Sequence, residues 1–113
     1  MTYLLTLWHI AVSLFFSAHV GLATNFSPTG DPQNPNPYAA CLHRDLRDTD
    51  LVIAHPTFPC QAKVWIYNLR THKSTVARVG DRGPRHAMVD LAPATTRALR
   101  ANGMEPVIIR LLP

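Results

Sequence analysis

From residue 51 onward, short apolar or alternating runs are separated by polar, Gly or Pro breaks, the pattern of strands rather than long helices. Leu51–Ala54, Lys63–Leu69, Ser74–Val79, Ala87–Leu91 and Val107–Leu112 are rich in Val and Ile, and each predicts a strand. Side chains alternate across a strand, so Val64 and Ile66 share one face while Trp65 and Tyr67 share the other. Arg70-Thr71-His72-Lys73 is short, polar and charged, and predicts a hairpin turn between two of these strands. Pro93–Ala101 predicts the one helix, with Pro in its first turn and Asn102-Gly103 as its stop. Ala92 has no side-chain acceptor, so Asp90 or water must serve the first N–H groups of that helix. A small, mainly β domain with one short helix follows.

The N-terminal pattern is different. Met1 to Ala23 contains no Lys, Arg, Asp or Glu, and Leu4 to Phe16 is an apolar run of signal-peptide length. Gly21-Leu22-Ala23 offers small residues where a signal peptidase reads them, so residues 1–23 are expected to be a signal peptide. The alternative is an uncleaved anchor, because Leu4 to Ala23 is about the 20 residues that span a bilayer. On either reading the remainder is exported, secreted or periplasmic, and it meets a membrane only if that segment is retained. Residues 24–37 carry four prolines and read as an extended linker, leaving residues 38–113 for the domain.

Composition narrows the class. A chain of 113 residues with 47% hydrophobic and 16% charged residues can build a core but is too short for a large multi-site enzyme. Eleven Lys and Arg against seven Asp and Glu give a net charge of +4, which favours an anionic partner. Nucleic acid is disfavoured, because the chain is exported and lacks interleaved basic and aromatic residues. Cys41 and Cys60 form an even pair in a short exported chain and are expected to be a disulfide, contributing roughly 3 kcal/mol in the chain-entropy model. A metal site of Cys41, Cys60, His43 and His55 ranks well below it, since none of these pairs has close zinc-ligand spacing. His43, His72 and His86 read as exposed or turn histidines.

The most specific stretch is Arg78-Val79-Gly80-Asp81-Arg82-Gly83-Pro84, followed by Met88-Val89-Asp90-Leu91-Ala92. With Ala54-His55-Pro56-Thr57-Phe58-Pro59 before it and Asn102-Gly103 after, this ordered set resembles the RlpA-like (rare lipoprotein A) double-psi β-barrel family over about Leu51 to Leu112. The resemblance implies a six-stranded double-psi β-barrel with a glycan-binding groove. In catalytic members it implies cleavage of the MurNAc–GlcNAc bond of peptidoglycan without water. His55 and Asp81 match the family's active-site His and Asp, and Asp90 matches a groove-lining Asp. The chain departs from the pattern in several places, among them a shorter loop from Pro84 to Asp90. The family's N-terminal aromatic-Tyr-Gly segment is not recognisable, and Pro37–Cys41 stands in for the first strand. Cys60 replaces an aromatic residue, and Ala92 replaces a Ser.

The chemistry can also be argued from the residues. A lytic transglycosylase needs one acid that protonates the glycosidic oxygen and then, as carboxylate, helps the sugar's C6 hydroxyl attack C1. A hydrolase instead needs two carboxyls, about 5–5.5 Å or about 6.5–9.5 Å apart. Asp81 is therefore expected as acid/base, His55 as its catalytic partner or substrate positioner, and Asp90 and Arg82 as substrate-binding residues. A proton donor must be partly desolvated, whereas guanidinium groups nearby favour the carboxylate. If Arg82 faces away, the acid is available; if it pairs with Asp81, the site is a binding groove or a folding lock. Glu105 has no claim on the groove, and Trp65 and Tyr67 read as half-buried strand residues. Three functions follow in order: a monomeric peptidoglycan lytic transglycosylase without cofactor or metal, a non-catalytic expansin-like wall-binding domain, and a nucleic-acid binder.

Overall fold

The computed structural model describes residues 18–26 and 38–113. The strands are β1 (Ala18–Asn25), β2 (Tyr38–Ala39), β3 (Arg44–Asp45), β4 (Val52–Ala54), β5 (Lys63–Asn68), β6 (Ser74–Asp81), β7 (Val89–Leu91) and β8 (Glu105–Leu111). The helix α1 (Pro93–Ala98) lies between β7 and β8. Six strands close a barrel in the order β1-β7-β4-β6-β5-β8, and β2 and β3 form a separate two-stranded sheet. The β1–β7 and β4–β6 pairs are parallel, and the β1–β8, β4–β7, β5–β6 and β5–β8 pairs are antiparallel. This is the mainly β, six-stranded barrel with one short helix that the sequence predicts.

Alternation decides what fills the barrel. Val64 and Ile66 of β5, Val79 of β6, Val89 and Leu91 of β7, and Val107 and Ile109 of β8 point inward and are fully buried. Trp65 and Tyr67 stand half-buried on the outside of β5. A second cluster of Ala39, Leu46, Val52 and Ala92 lies outside this core, with Phe26 and Leu42 packed against it. It seats the β2–β3 sheet over the outer side of β4. The Cys41–Cys60 disulfide ties that sheet to the β4–β5 loop.

The N-terminal boundary differs from expectation. Residues 18–25, divided above between leader and linker, form one barrel strand. It pairs with β8 from Ala18↔Arg110 to Ala23↔Glu105, and with β7 from Ala23↔Val89 to Asn25↔Leu91. A cut after Ala23 falls inside β1 and removes a fully buried core residue. The small, charge-free residues that resemble a peptidase site are a strand whose alternate positions point inward. The rest of the expected leader, 1–17, and of the linker, 27–37, lies outside the described residues. Residues Tyr38 and Ala39 pair with Arg44 and Asp45 in the outer sheet, so this segment does not replace the first barrel strand.

The helix is also shorter than its pattern. It ends at Ala98 because Arg100 turns to a φ of 49°, outside the helical region. Ala92, as expected, provides no side-chain cap. Thr95 Oγ1 donates to Val52 O at 2.6 Å, and Ala92 N donates to the same carbonyl at 3.3 Å, fixing the helix start on β4.

Glu105 closes the opposite end. Its side chain is 1% exposed and accepts from Arg70 Nη2 at 2.6 Å, Arg70 Nε at 2.9 Å and Asn102 N at 2.6 Å. One carboxylate thus joins the β5–β6 turn to the turn before β8. The Arg70 hydrogen bonds hold the Glu105 carboxyl below its ordinary value of 4.5, against the upward push of burial. A carboxyl depressed on folding stabilises fully above its unfolded value, and that stability is lost as pH falls through the folded value.

Two predictions follow from this packing. Glu105→Gln loses about 2 kcal/mol of stability at pH 7, and the gap to the parent narrows as pH falls below 4.5, read by urea unfolding across pH. A Cβ at Gly80 would stand 2.9 Å from Val52 Cβ, so Gly80→Ala overpacks the β4–β6 contact and costs about 1–3 kcal/mol in the same assay.

Candidate functional site

Register brings the predicted residues to one level of the barrel. Thr24 of β1 pairs with Asp90 of β7, Asp90 with Ala54 of β4, and Ala54 with Asp81 of β6. Adjacent strands are separated by about 4.7–4.9 Å, so the main chains of Asp81 and Asp90 stand about 10 Å apart with Ala54 between them. Val89 and Leu91 fill the core, which turns Asp90 outward, where Oδ1 accepts from Thr24 Oγ1 at 2.9 Å.

Asp81 reaches the same outer face through a register shift. Ile53 pairs with Val79, yet Ala54 pairs with Asp81, leaving Gly80 as an extra residue on β6. Such a bulge re-aims the side chain that follows it. Asp81 Oδ1 accepts from Arg82 N at 2.8 Å and from Ala40 N, in the β2–β3 connection, at 3.2 Å. Among the described residues Oδ2 receives no hydrogen bond. His55 follows β4 directly, and its N–H donates to Asp81 O at 3.1 Å.

The His55 ring is 7% exposed and lies over Phe58, with ring centroids 3.7 Å apart and planes 11° from parallel. Its Nδ1 accepts from Thr57 N at 3.1 Å and Phe58 N at 2.9 Å. A nitrogen that accepts two N–H groups carries no proton, so the neutral ring bears its hydrogen on Nε2. Burial first, then the nearby His19 and Arg82 charges, push the His55 pKa below its ordinary 6.5, which keeps the ring neutral at pH 7. His55 is therefore a fixed hydrogen-bond donor through Nε2.

Arg82 does not join this set. Its Nη1 donates to Phe58 O and, at 3.3 Å, to His55 O, and its Nη2 lies 3.3 Å from Cys60 Sγ. The guanidinium clamps the loop between β4 and β5, and among the described residues it makes no salt bridge to Asp81. Among the described residues the Asp81 carboxylate makes no salt bridge and is held by the two backbone N–H groups alone. Cys41 and Cys60 are joined, with Cα atoms 5.1 Å apart, so the competing zinc reading with His43 and His55 loses both sulfur ligands. Among the described residues no three His, Cys, Asp or Glu are grouped to hold a metal. His43 and His72 occupy positive-φ turn positions, and Tyr67 Oη is 2.9 Å from His72 Nδ1.

Sequence reasoning missed Thr24, Ala40 and Phe58. Thr24 was hidden by assigning its segment to a linker; the readable signal was the alternation of Leu22, Ala23 and Thr24. Ala40 acts through its backbone N–H, which no side-chain pattern reports. Phe58 was visible only as part of the His55 motif.

Comparisons with known proteins agree with this architecture. No family model matches the chain. It is 30% identical over 105 residues to a probable endolytic peptidoglycan transglycosylase RlpA from Nostoc sp. (strain PCC 7120), a match that covers 89% of this chain. The chain spans about a quarter of that relative's length, since the matched part is 25% of it. Its fold is similar to the apo expansin of Clavibacter michiganensis, with TM-score 0.62 and 18% identity, covering 85% of this chain and 50% of that one. It is also similar to the Streptomyces papain inhibitor, with TM-score 0.60, 16% identity and coverage of 85% and 94%. Cerato-platanin 3 of M. perniciosa gives TM-score 0.55, 13% identity and coverage of 84% and 95%. These likenesses show the double-psi β-barrel fold, and the sequence likeness is to an RlpA protein.

Proposed function

We propose that this protein is an exported, monomeric peptidoglycan lytic transglycosylase that cleaves the MurNAc–GlcNAc bond with Asp81 as general acid and base. The observation that carries the reading is the Asp81 carboxylate: Oδ1 is fixed by two backbone N–H groups, while Oδ2 has no hydrogen-bond partner among the described residues. A proton on Oδ2 passes to the glycosidic oxygen as the C1–O bond breaks. The resulting carboxylate takes the proton of the C6 hydroxyl, whose oxygen bonds to C1 and closes a 1,6-anhydro ring. No water is consumed. His55 donates from Nε2 to orient substrate, and Asp90, set by Thr24, binds a sugar hydroxyl. Arg82 supports the loop carrying His55.

The RlpA relative is named for this activity, and the disulfide suits an oxidising, exported setting. Among the described residues no helix is long and apolar enough to cross a membrane. Attachment through the N-terminal apolar run is a separate matter from the chemistry.

The second reading is a wall-binding, expansin-like domain that holds glycan through Asp81 and Asp90 without cutting it. It is favoured by the expansin likeness across 85% of this chain.

Mass spectrometry of products from the oxidised full-length chain, incubated with intact and stem-peptide-stripped peptidoglycan, separates these readings. Anhydro-MurNAc ends are expected, and Asp81→Asn lowers their rate at least about 100-fold while leaving the circular dichroism spectrum unchanged. Unchanged activity in that variant overturns the assignment. Reducing ends would assign hydrolysis to Asp81 with Asp90, and no release with retained pelleting on peptidoglycan would establish the wall-binding reading. Asp90→Asn is expected to weaken substrate affinity about tenfold, read as KM, through loss of one charged hydrogen bond.

A further inference from the structure

The side of the barrel opposite β7 and β4, formed by β5 and β8, carries a second surface. Register aligns the outward residues Val76, Trp65, Arg110 and Ala18 across β6, β5, β8 and β1. Beside them lie Tyr67 and Val20, on either side of Ile108. Val20 is 69% exposed, Leu22 45% and Val76 42%, an apolar exposure that an outer barrel face does not need for folding. Ala18, Trp65, Arg110 and Leu112 line an open pocket of about 390 Å³. Among the described residues Arg110 Nε is buried there without a hydrogen-bond partner.

Charge indicates what kind of acceptor. Lys63 and Arg78 stand directly opposite each other on β5 and β6, both exposed, a like-charge pairing that costs stability. Strands β1, β5 and β8 hold no acid except Glu105, which is buried against Arg70. A second copy of the chain docking face to face would set these cations against themselves. The Trp65 and Tyr67 rings stack on each other, 5.9 Å apart at 21°, so their faces turn toward one another rather than lying open as a sugar platform. Half-exposed Trp and Tyr above a cationic rim are the composition of proteins seated at the headgroup level of a bilayer.

We propose that this β5–β8 face docks on an anionic phospholipid surface, with Arg110 and Lys63 meeting lipid phosphates and Trp65, Tyr67, Val20 and Leu22 entering the headgroup boundary. The inference stands on this face alone and not on the chemistry proposed for Asp81. Its consequence is orientation: Asp81 and Asp90, across the barrel, face away from the lipid.

The test uses the full-length chain with Trp8→Phe, which leaves Trp65 as the sole indole. Phosphatidylglycerol vesicles with brominated acyl chains are expected to quench and blue-shift Trp65, and brominated phosphatidylcholine vesicles to do so far less. Lys63→Gln and Arg110→Gln each weaken the docked state about fivefold. Equal quenching by both lipids, or none, overturns the proposal. So does a blue shift produced by soluble glycan fragments instead of lipid, or by raising the protein concentration without lipid, which would assign the face to glycan or to a second copy. Peptidoglycan cleavage by the same variants is read separately, so failure of either proposal is visible without the other.

Discussion

The parallel pairing of β4 with β6, interrupted by one extra residue at Gly80, is the constraint on which the site depends. Without the shift, Asp81 would follow the inward alternation of Ala77 and Val79 and bury a carboxylate in an apolar core. With it, Asp81 faces outward beside His55 and level with Asp90. The shift needs a residue without a side chain, because Val52 already occupies the space a Cβ would take. Val52 is in turn held from outside by Ala39, Leu46 and Ala92, and its carbonyl anchors the helix through Thr95. The outer sheet, the helix start and the bulge are therefore one packing problem, and the Asp81 carboxylate inherits its position from all three.

Three arginines show how one residue type serves different ends on this scaffold. Arg70 meets a buried carboxylate and locks two turns together. Arg82 spends its donors on main-chain carbonyls of the loop that carries His55, and among the described residues Asp81 has no salt-bridge partner. Arg110 has a buried Nε with no acceptor among the described residues. In the first two cases the partners lie within the fold. In the third no acceptor lies among the described residues, which is why that arginine carries a binding inference.

Most of the barrel was legible because inward and outward positions alternate cleanly in β5, β6, β7 and β8. The Asp81, His55 and Asp90 set was legible because its residues fall in short, ordered motifs. What the pattern hid was β1. Ala18–Asn25 follows an uncharged apolar run, and hydrophobicity alone does not separate a leader's end from a strand with exposed Val20 and Leu22. Only long-range pairing to β7 and β8 makes the distinction, and that pairing involves residues more than sixty positions away. The role of Arg82 was hidden for a related reason: its partners are main-chain carbonyls, whose positions depend on the fold and not on residue type.

The exposed apolar positions of β1 now carry a different meaning. If β1 served only to close the barrel, Ala23 would need to be apolar, while Val20 and Leu22 would be free to be polar. Polar residues there would also protect the face from aggregation. Their apolar character, continued across β8 and β5 and bordered by cations without acids, makes sense when the face is covered in use. Because the barrel is closed, a covered β5–β8 side leaves the β7–β4 side open by construction. Closure thus sets the β5–β8 face and the candidate groove on opposite sides of one small barrel.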